Sequence, residues 1–179
     1  MNPAGIEHRE EKELETYTDE ELVRIRCLVS QNSLGSATYQ LDLSRKDLGC
    51  MGIGTVKALA KVLQEGNHDA DLQSLELSCN SFTCDHIEVL GQALQKCKNL
   101  RTLFLSGNMI EDRGCYSLSQ YLPNATLYLY LDHNLIGEEG SFLIHGAADR
   151  RPELLVSLDE NPDANVDVVH LLNQRFVDY

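Results

Sequence analysis

The stretch LQSLELSCNSF, Leu72 to Phe82, carries the information that decides the fold. Leu75 and Leu77 alternate with Glu76 and Ser78, so the two leucines point to one face of a short strand. Asn80 ends the strand, because its side-chain amide can both donate to and accept from backbone groups that a turning chain leaves unpaired. Phe82 then re-enters the core. Ile87, Leu90 and Leu94 follow at helical spacing and form an apolar stripe. The segment is therefore a strand followed by a helix, and neither can bury its apolar face alone.

The same segment recurs along the chain. It reads LRTLFLSGNMI at Leu100 to Ile110, TLYLYLDHNLI at Thr126 to Ile136 and ELLVSLDENPD at Glu153 to Asp163. A weaker copy, YQLDLSRKDLG, spans Tyr39 to Gly49 and has Lys46 where the others have asparagine. The anchors Lys46, Asn80, Asn108, Asn134 and Asn161 are spaced by 34, 28, 26 and 27 residues. The long first interval holds Gly66, Asn67, His68 and Asp69, a polar loop insertion. Val56, Leu59 and Leu63 supply the helix stripe of the first unit, and Cys115, Leu118 and Leu122 that of the third. Units that each expose one apolar face bury it by stacking. The expected fold is α/β: a solenoid of about five repeats with a curved parallel sheet on its concave face, helices on its convex face and helical caps at its ends.

The strings Leu75-x-Leu77-x-x-Asn80-x-Phe82 and Leu103-x-Leu105-x-x-Asn108-x-Ile110 resemble the leucine-rich repeat. The period of 26 to 28 residues with a full helix per unit is similar to its ribonuclease-inhibitor-type subclass. Asn134-x-Ile136-Gly137-x-x-Gly140 resembles that subclass too, which often has a small residue before the helix. The resemblance covers about residues 39 to 172. It implies buried free cysteines and an extended inner surface suited to protein partners. Lys46 interrupts the asparagine ladder, and Leu127 sits one place late relative to Leu72 and Leu100.

Open solenoid ends expose a cross-section of core and need covering. Asp19 to Gln31 reads as a cap helix, with Leu22, Ile25 and Val29 on one face and Thr18 or Asp19 at its start. A competing reading takes Cys27-x-Val29-x-x-Asn32-x-Leu34 as the strand of a truncated repeat. At the other end Val166, Val169 and Leu172 suit a closing helix, with Phe176 beyond it. The expected division is an acidic extension over residues 1–18, a cap helix and connection over 19–38, and the repeat domain with its C-terminal cap over 39–179.

Composition narrows the partners. Leucine supplies 29 of the 179 residues and Trp is absent, so the core is aliphatic. The formal net charge is −13, which disfavours nucleic acid and anionic membranes and favours a basic protein partner. Residues 1–21 hold eight acids and two bases, which fits either a solvated tail or an arm that orders against such a partner. No apolar run is long enough to span a bilayer, and the N-terminal residues lack a targeting pattern. The expected location is the cytosol, cytoskeleton or cilium, with the nucleus open. The six cysteines are then reduced thiols.

No catalytic constellation stands out. There is neither a phosphate loop nor a nucleophile elbow. Gly49, Gly52 and Gly54 precede a helix, where an anion site is conceivable, but the repeat itself accounts for glycine at those turns. Cys84, Asp85 and His86 lie together near Cys79 without a zinc spacing. No metal, cofactor, small-molecule substrate or enzymatic activity is expected.

The face opposite the leucines is where binding belongs. The residues six, four and two places before each anchor point to it, and they include Asp42, Glu76, Phe104, Tyr128, Tyr130, Asp132 and Asp159. Three aromatics amid small and acidic residues have the makeup of an interface hot spot. The expected function is a non-catalytic interaction module or scaffold within a larger assembly, binding a basic, partly apolar segment. The alternative is a regulator of a small GTPase, similar to the Ran GTPase-activating protein in repeat class.

Overall fold

The structure is a computed structural model, and it describes residues 17–34, 39–65 and 72–162. Helix α1 (Asp19–Asn32) leads into β1 (Ser33–Leu34) and β2 (Tyr39–Asp42). Helix α2 (Ile53–Glu65), β3 (Leu72–Glu76), α3 (Cys84–Leu94) and β4 (Thr102–Phe104) follow. The described part closes with α4 (Asp112–Tyr121), β5 (Tyr128–Tyr130), α5 (Glu138–Asp149) and β6 (Leu155–Ser157). The six strands form one sheet in chain order. Strands β2 to β6 are parallel, and α2 to α5 pack side by side behind them. The Gly66–Asp69 insertion, the expected C-terminal closing helix and all but the last residues of the acidic extension lie outside the described residues.

Each of the five parallel strands, with the residue just after it, sends two aliphatic side chains inward: Leu41 and Leu43, Leu75 and Leu77, Leu103 and Leu105, Leu129 and Leu131, Val156 and Leu158. All ten are at most 1% exposed. Burying one such side chain contributes about 1.5–3 kcal/mol, so the ladder of leucines is the main stabilising feature. Leu48, Phe82, Ile110 and Ile136, two places after successive anchors, plug the space between strand and helix. Thr126 fills the site that Leu72 and Leu100 fill in earlier units, and its hydroxyl donates to the Leu100 carbonyl at 3.0 Å. That bond lets a polar residue occupy an apolar position, and it explains the late Leu127.

The asparagines join one unit to the unit before it. Asn108 Oδ1 accepts the backbone N–H groups of Asn80 and Phe82, each at 3.0 Å, while its Nδ2 donates to the carbonyls of Leu105 and Leu77. Asn80 bonds backward in the same way to Lys46, Leu48 and Leu43, and Asn134 to Ile110 and Leu105. Asn161 accepts from Ile136 and donates to Leu131. Because each side chain reaches toward the preceding unit, the first unit needs no asparagine, and Lys46 is tolerated there. The residue just before every anchor is left-handed: Arg45, Cys79, Gly107, His133 and Glu160 all have φ between +54° and +68°. This shared turn aims the amide inward.

Helix α1 covers the first unit. Thr18 is its N-cap, in a reciprocal box with Glu21: the Glu21 N–H donates to Thr18 Oγ1 at 3.1 Å and the Thr18 N–H to Glu21 Oε2 at 2.6 Å. Ile25 and Val29 are buried against the core, with Leu22 half-buried. Cys27 to Asn32 is therefore helical, and the truncated-repeat reading is corrected. Strand β1, which no periodicity announces, then pairs antiparallel with β2 and covers that edge of the sheet.

Helix N-termini are also tied across repeats. The Glu21 carboxylate lies against Gly54 in the first turn of α2, so that a Cβ on Gly54 would sit 2.6 Å from Oε1. The anion at this helix terminus is the chain's own glutamate, which fills the place considered for an external anion. The Glu111 N–H, at the start of α4, donates to Cys84 Sγ at 3.4 Å. The Gly137 N–H, at the start of α5, donates to Asp112 Oδ1 at 2.7 Å, and Gly140 leaves room for that carboxylate.

Candidate functional site

The strand register aligns the outward-facing side chains in rows. One row runs Gln40, Ser74, Thr102, Tyr128, Leu155, and the next runs Asp42, Glu76, Phe104, Tyr130, Ser157. Beyond the strand ends, anchor spacing continues a third row through Ser44, Ser78, Ser106, Asp132 and Asp159. Phe104 and Tyr130, directly opposite each other on β4 and β5, stack with centroids 4.7 Å apart and planes 7° from parallel. The separation matches the spacing of adjacent strands, about 4.8 Å, so the sheet itself sets the stack. Tyr128 stands beside the pair and is 38% exposed. Burial, followed by the influence of Tyr128 and Asp132, pushes the Tyr130 phenol up from its ordinary value, so Tyr130 stays protonated.

The acids divide into two groups. Asp42 and Glu76 sit at the β2–β3 end of the aromatic row. Asp42 accepts the Ser44 N–H at 2.9 Å and Glu76 the Ser78 N–H at 2.7 Å, so one oxygen of each is held in place. The backbone bond from Ser44 keeps the Asp42 carboxyl below its usual range. Asp132 is engaged differently. It accepts the Ser106 hydroxyl at 3.2 Å on one oxygen, and the Ser157 hydroxyl and the Asp159 N–H (2.9 Å) on the other. It thus braces three consecutive repeats. Asp159 and His133 are exposed near the same end.

The Cys84-Asp85-His86 cluster has a structural explanation. His86 is 9% exposed, and its Nδ1 accepts the Thr83 N–H at 3.0 Å, closing the first turn of α3 as glutamate or glutamine does in a capping box. Burial holds its pKa below the ordinary value against a smaller opposing pull from Asp85. Asp85 pairs with Arg113, which also approaches Glu88 at 3.8 Å. Cys115 is a buried thiol pushed up to about 12, chiefly by desolvation, with Asp112 and Cys84 adding to it. A groove of about 590 Å³ between α2 and α3 is lined by Lys57, Lys61, Asp85, His86 and Glu88 among others. Its histidine is committed to the cap and its acids to Arg113, which leaves no poised acid–base pair. Among the described residues no group of three or more His, Cys, Asp or Glu side chains could hold a metal ion. No helix among them is long and apolar enough to cross a membrane.

Arg151 is a structural residue that the repeat pattern does not single out. Its Nη2 donates to the carbonyls of Pro123, Asn124 and Thr126 at 2.8–3.0 Å and clips the loop before β5 to the loop before β6. The only advance signal is an arginine pair, Arg150 and Arg151, before Pro152.

No family model matches the chain. "NACHT, LRR and PYD domains-containing protein 14" of Mus musculus is 37% identical over 106 residues. The match takes in 57% of this chain, and the chain spans only 10% of that protein's length. Among solved structures, "Leiomodin-1 Actin-Binding Site 2 (ABS2)" superposes with a TM-score of 0.60 over 89% of both chains, at 15% identity. The Caenorhabditis elegans tropomodulin C-terminal domain superposes with a TM-score of 0.57 over 89% of this chain and 96% of that one, at 11% identity. At such identities the likeness is one of fold.

Proposed function

We propose that this leucine-rich repeat protein is a non-catalytic interaction module whose concave sheet grips a basic, partly apolar protein segment, as one subunit of a larger cytosolic, cytoskeletal or ciliary assembly. The observation that carries the reading is the Phe104–Tyr130 stack, set in the middle of an outward-facing sheet with acids on either side. Large rings presented to solvent within a polar rim are the surface that interface anchors use. Asp42, Glu76 and Asp159, together with the net charge of −13, attract a partner of opposite sign and speed the encounter. Asp132 contributes mainly by holding three repeats in register. One of the solved structures of like fold is titled as an actin-binding site, which makes actin filaments the first cytoskeletal partner to test.

The test is affinity purification from native cells with wild-type protein and with the double variant Phe104→Ser/Tyr130→Ser, followed by mass spectrometry, with actin co-sedimentation alongside. Both substituted side chains are half-buried on the surface, so the far-UV circular dichroism is expected to stay unchanged. Loss of a partner from the double variant supports the reading. Equal recovery by the two proteins rejects the concave face as the binding surface.

A further inference from the structure

The aromatic row has two ends of different chemistry. Tyr130 covers one face of Phe104. The stack lies along the direction that joins neighbouring strands, so the other Phe104 face looks toward β3, where Glu76 is its register partner. Asp42 is the register partner of Glu76 on the next strand. The backbone bond from Ser78, at 2.7 Å, holds the Glu76 carboxylate by one of its two oxygens. None of the ion pairs among the described residues involves Glu76 or Asp42; those pairs join Arg26, Lys61 and Arg113 to acids on helices. A flat aromatic face thus borders a fixed carboxylate, with a second carboxylate one strand beyond.

We propose that this end of the row receives an arginine side chain of the partner, its guanidinium stacked on the β3-facing side of Phe104 and paired with Glu76. The inference rests on the concave face being the binding surface. It commits to arginine over lysine because a guanidinium is planar, lies flat on an aromatic ring and offers parallel N–H donors to a carboxylate. An ammonium is a strongly hydrated point charge that gains less from the ring. The guanidinium extends the existing stack by one layer, so that cation, Phe104 and Tyr130 follow one another at strand spacing. Asp42 adds attraction at longer range.

The experiment titrates the full chain with two probes of equal charge, acetyl-tetra-arginine amide and acetyl-tetra-lysine amide. Aromatic and backbone NMR shifts report the site. The arginine peptide is expected to bind roughly fivefold more tightly at the same ionic strength, with its largest shifts at Phe104, Tyr130 and the Glu76 amide. Phe104→Leu is expected to abolish the preference. Glu76→Gln, which keeps an acceptor for Ser78, is expected to abolish it independently and covers the case in which the first variant disturbs packing. Equal binding of the two peptides along the concave rows overturns the arginine inference and leaves the binding surface standing. Shifts confined to the convex helices for both peptides overturn the inference and the reading beneath it.

Discussion

Asn80 and Asn108, 28 positions apart, are successive rungs of one ladder: the Asn80 backbone N–H donates to Asn108 Oδ1 at 3.0 Å. Both rungs are buried, and each serves backbone groups of two units. The repeats therefore register against one another through side-chain amides as well as through the sheet.

Replacing Asn108 with alanine leaves the N–H groups of Asn80 and Phe82 and the carbonyls of Leu77 and Leu105 without that partner. A buried unpaired group costs about 1–3 kcal/mol, so Asn108→Ala is expected to lose about 3 kcal/mol or more. Asn161→Ala is expected to lose less, because Asn161 is only partly buried and water can reach its partners. Urea unfolding of the two variants checks the order.

Gly49 and Gly146 separate two roles of glycine. A Cβ on Gly49 would stand 2.4 Å from the Ser81 carbonyl oxygen and 2.7 Å from that of Asn80, both rigid backbone. A Cβ on Gly146 meets nothing within 4 Å. Gly49→Ala is expected to destabilise by about 1–3 kcal/mol or more. Gly146→Ala, inside α5, is expected to stabilise by about 0.5–1 kcal/mol through helix propensity. Thermal melts of both variants read the sign directly.

The strand–turn–helix unit was legible because leucine spacing and a terminal asparagine are direct consequences of how one unit packs. The outward rows were legible because strand parity alone assigns Glu76, Phe104 and Tyr130 to one face. What pairs across units was not legible. Glu21 at the start of α2, Cys84 at the start of α4 and Asp112 at the start of α5 act on neighbours 25 or more residues away, and only the stagger of the stacked helices brings them there. Strand β1 is two residues long and carries no period. Parity assigns Asp132 to the outward face, but it gives no sign that Ser106, Ser157 and Asp159 engage both carboxylate oxygens.

His86 makes stability depend on pH. Burial lowers its folded pKa beneath the ordinary 6.5, so the unfolded chain takes up the proton more readily. Its contribution is present above 6.5 and is lost as pH falls from there through the folded value. Chemical denaturation from about pH 7 to about pH 5 is expected to show a steeper decline for wild type than for His86→Gln, which keeps an N-cap acceptor without titrating.

Thiol reactivity follows exposure. Cys27, Cys50 and Cys79 are exposed, whereas Cys84, Cys97 and Cys115 are buried. With Cys115 pushed up to about 12, its thiolate is scarce at neutral pH. Iodoacetamide labelling of the native protein, read by peptide mass spectrometry, is expected to modify the first three and to reach the others only after denaturation.

On the proposed function the concave wall, and not the helical side, makes the contact with a partner. Hydroxyl-radical footprinting distinguishes the two sides, because each carries its own aromatic reporters. Phe104, Tyr128 and Tyr130 stand on the sheet, while Tyr116 and Phe142 are 56% and 77% exposed on α4 and α5. In the complex with the purified partner, the three sheet rings are expected to be protected, with Tyr116 and Phe142 oxidised as in the free protein. Protection of Tyr116 and Phe142 with the sheet rings unchanged would place the contact on the helices and reject the concave surface.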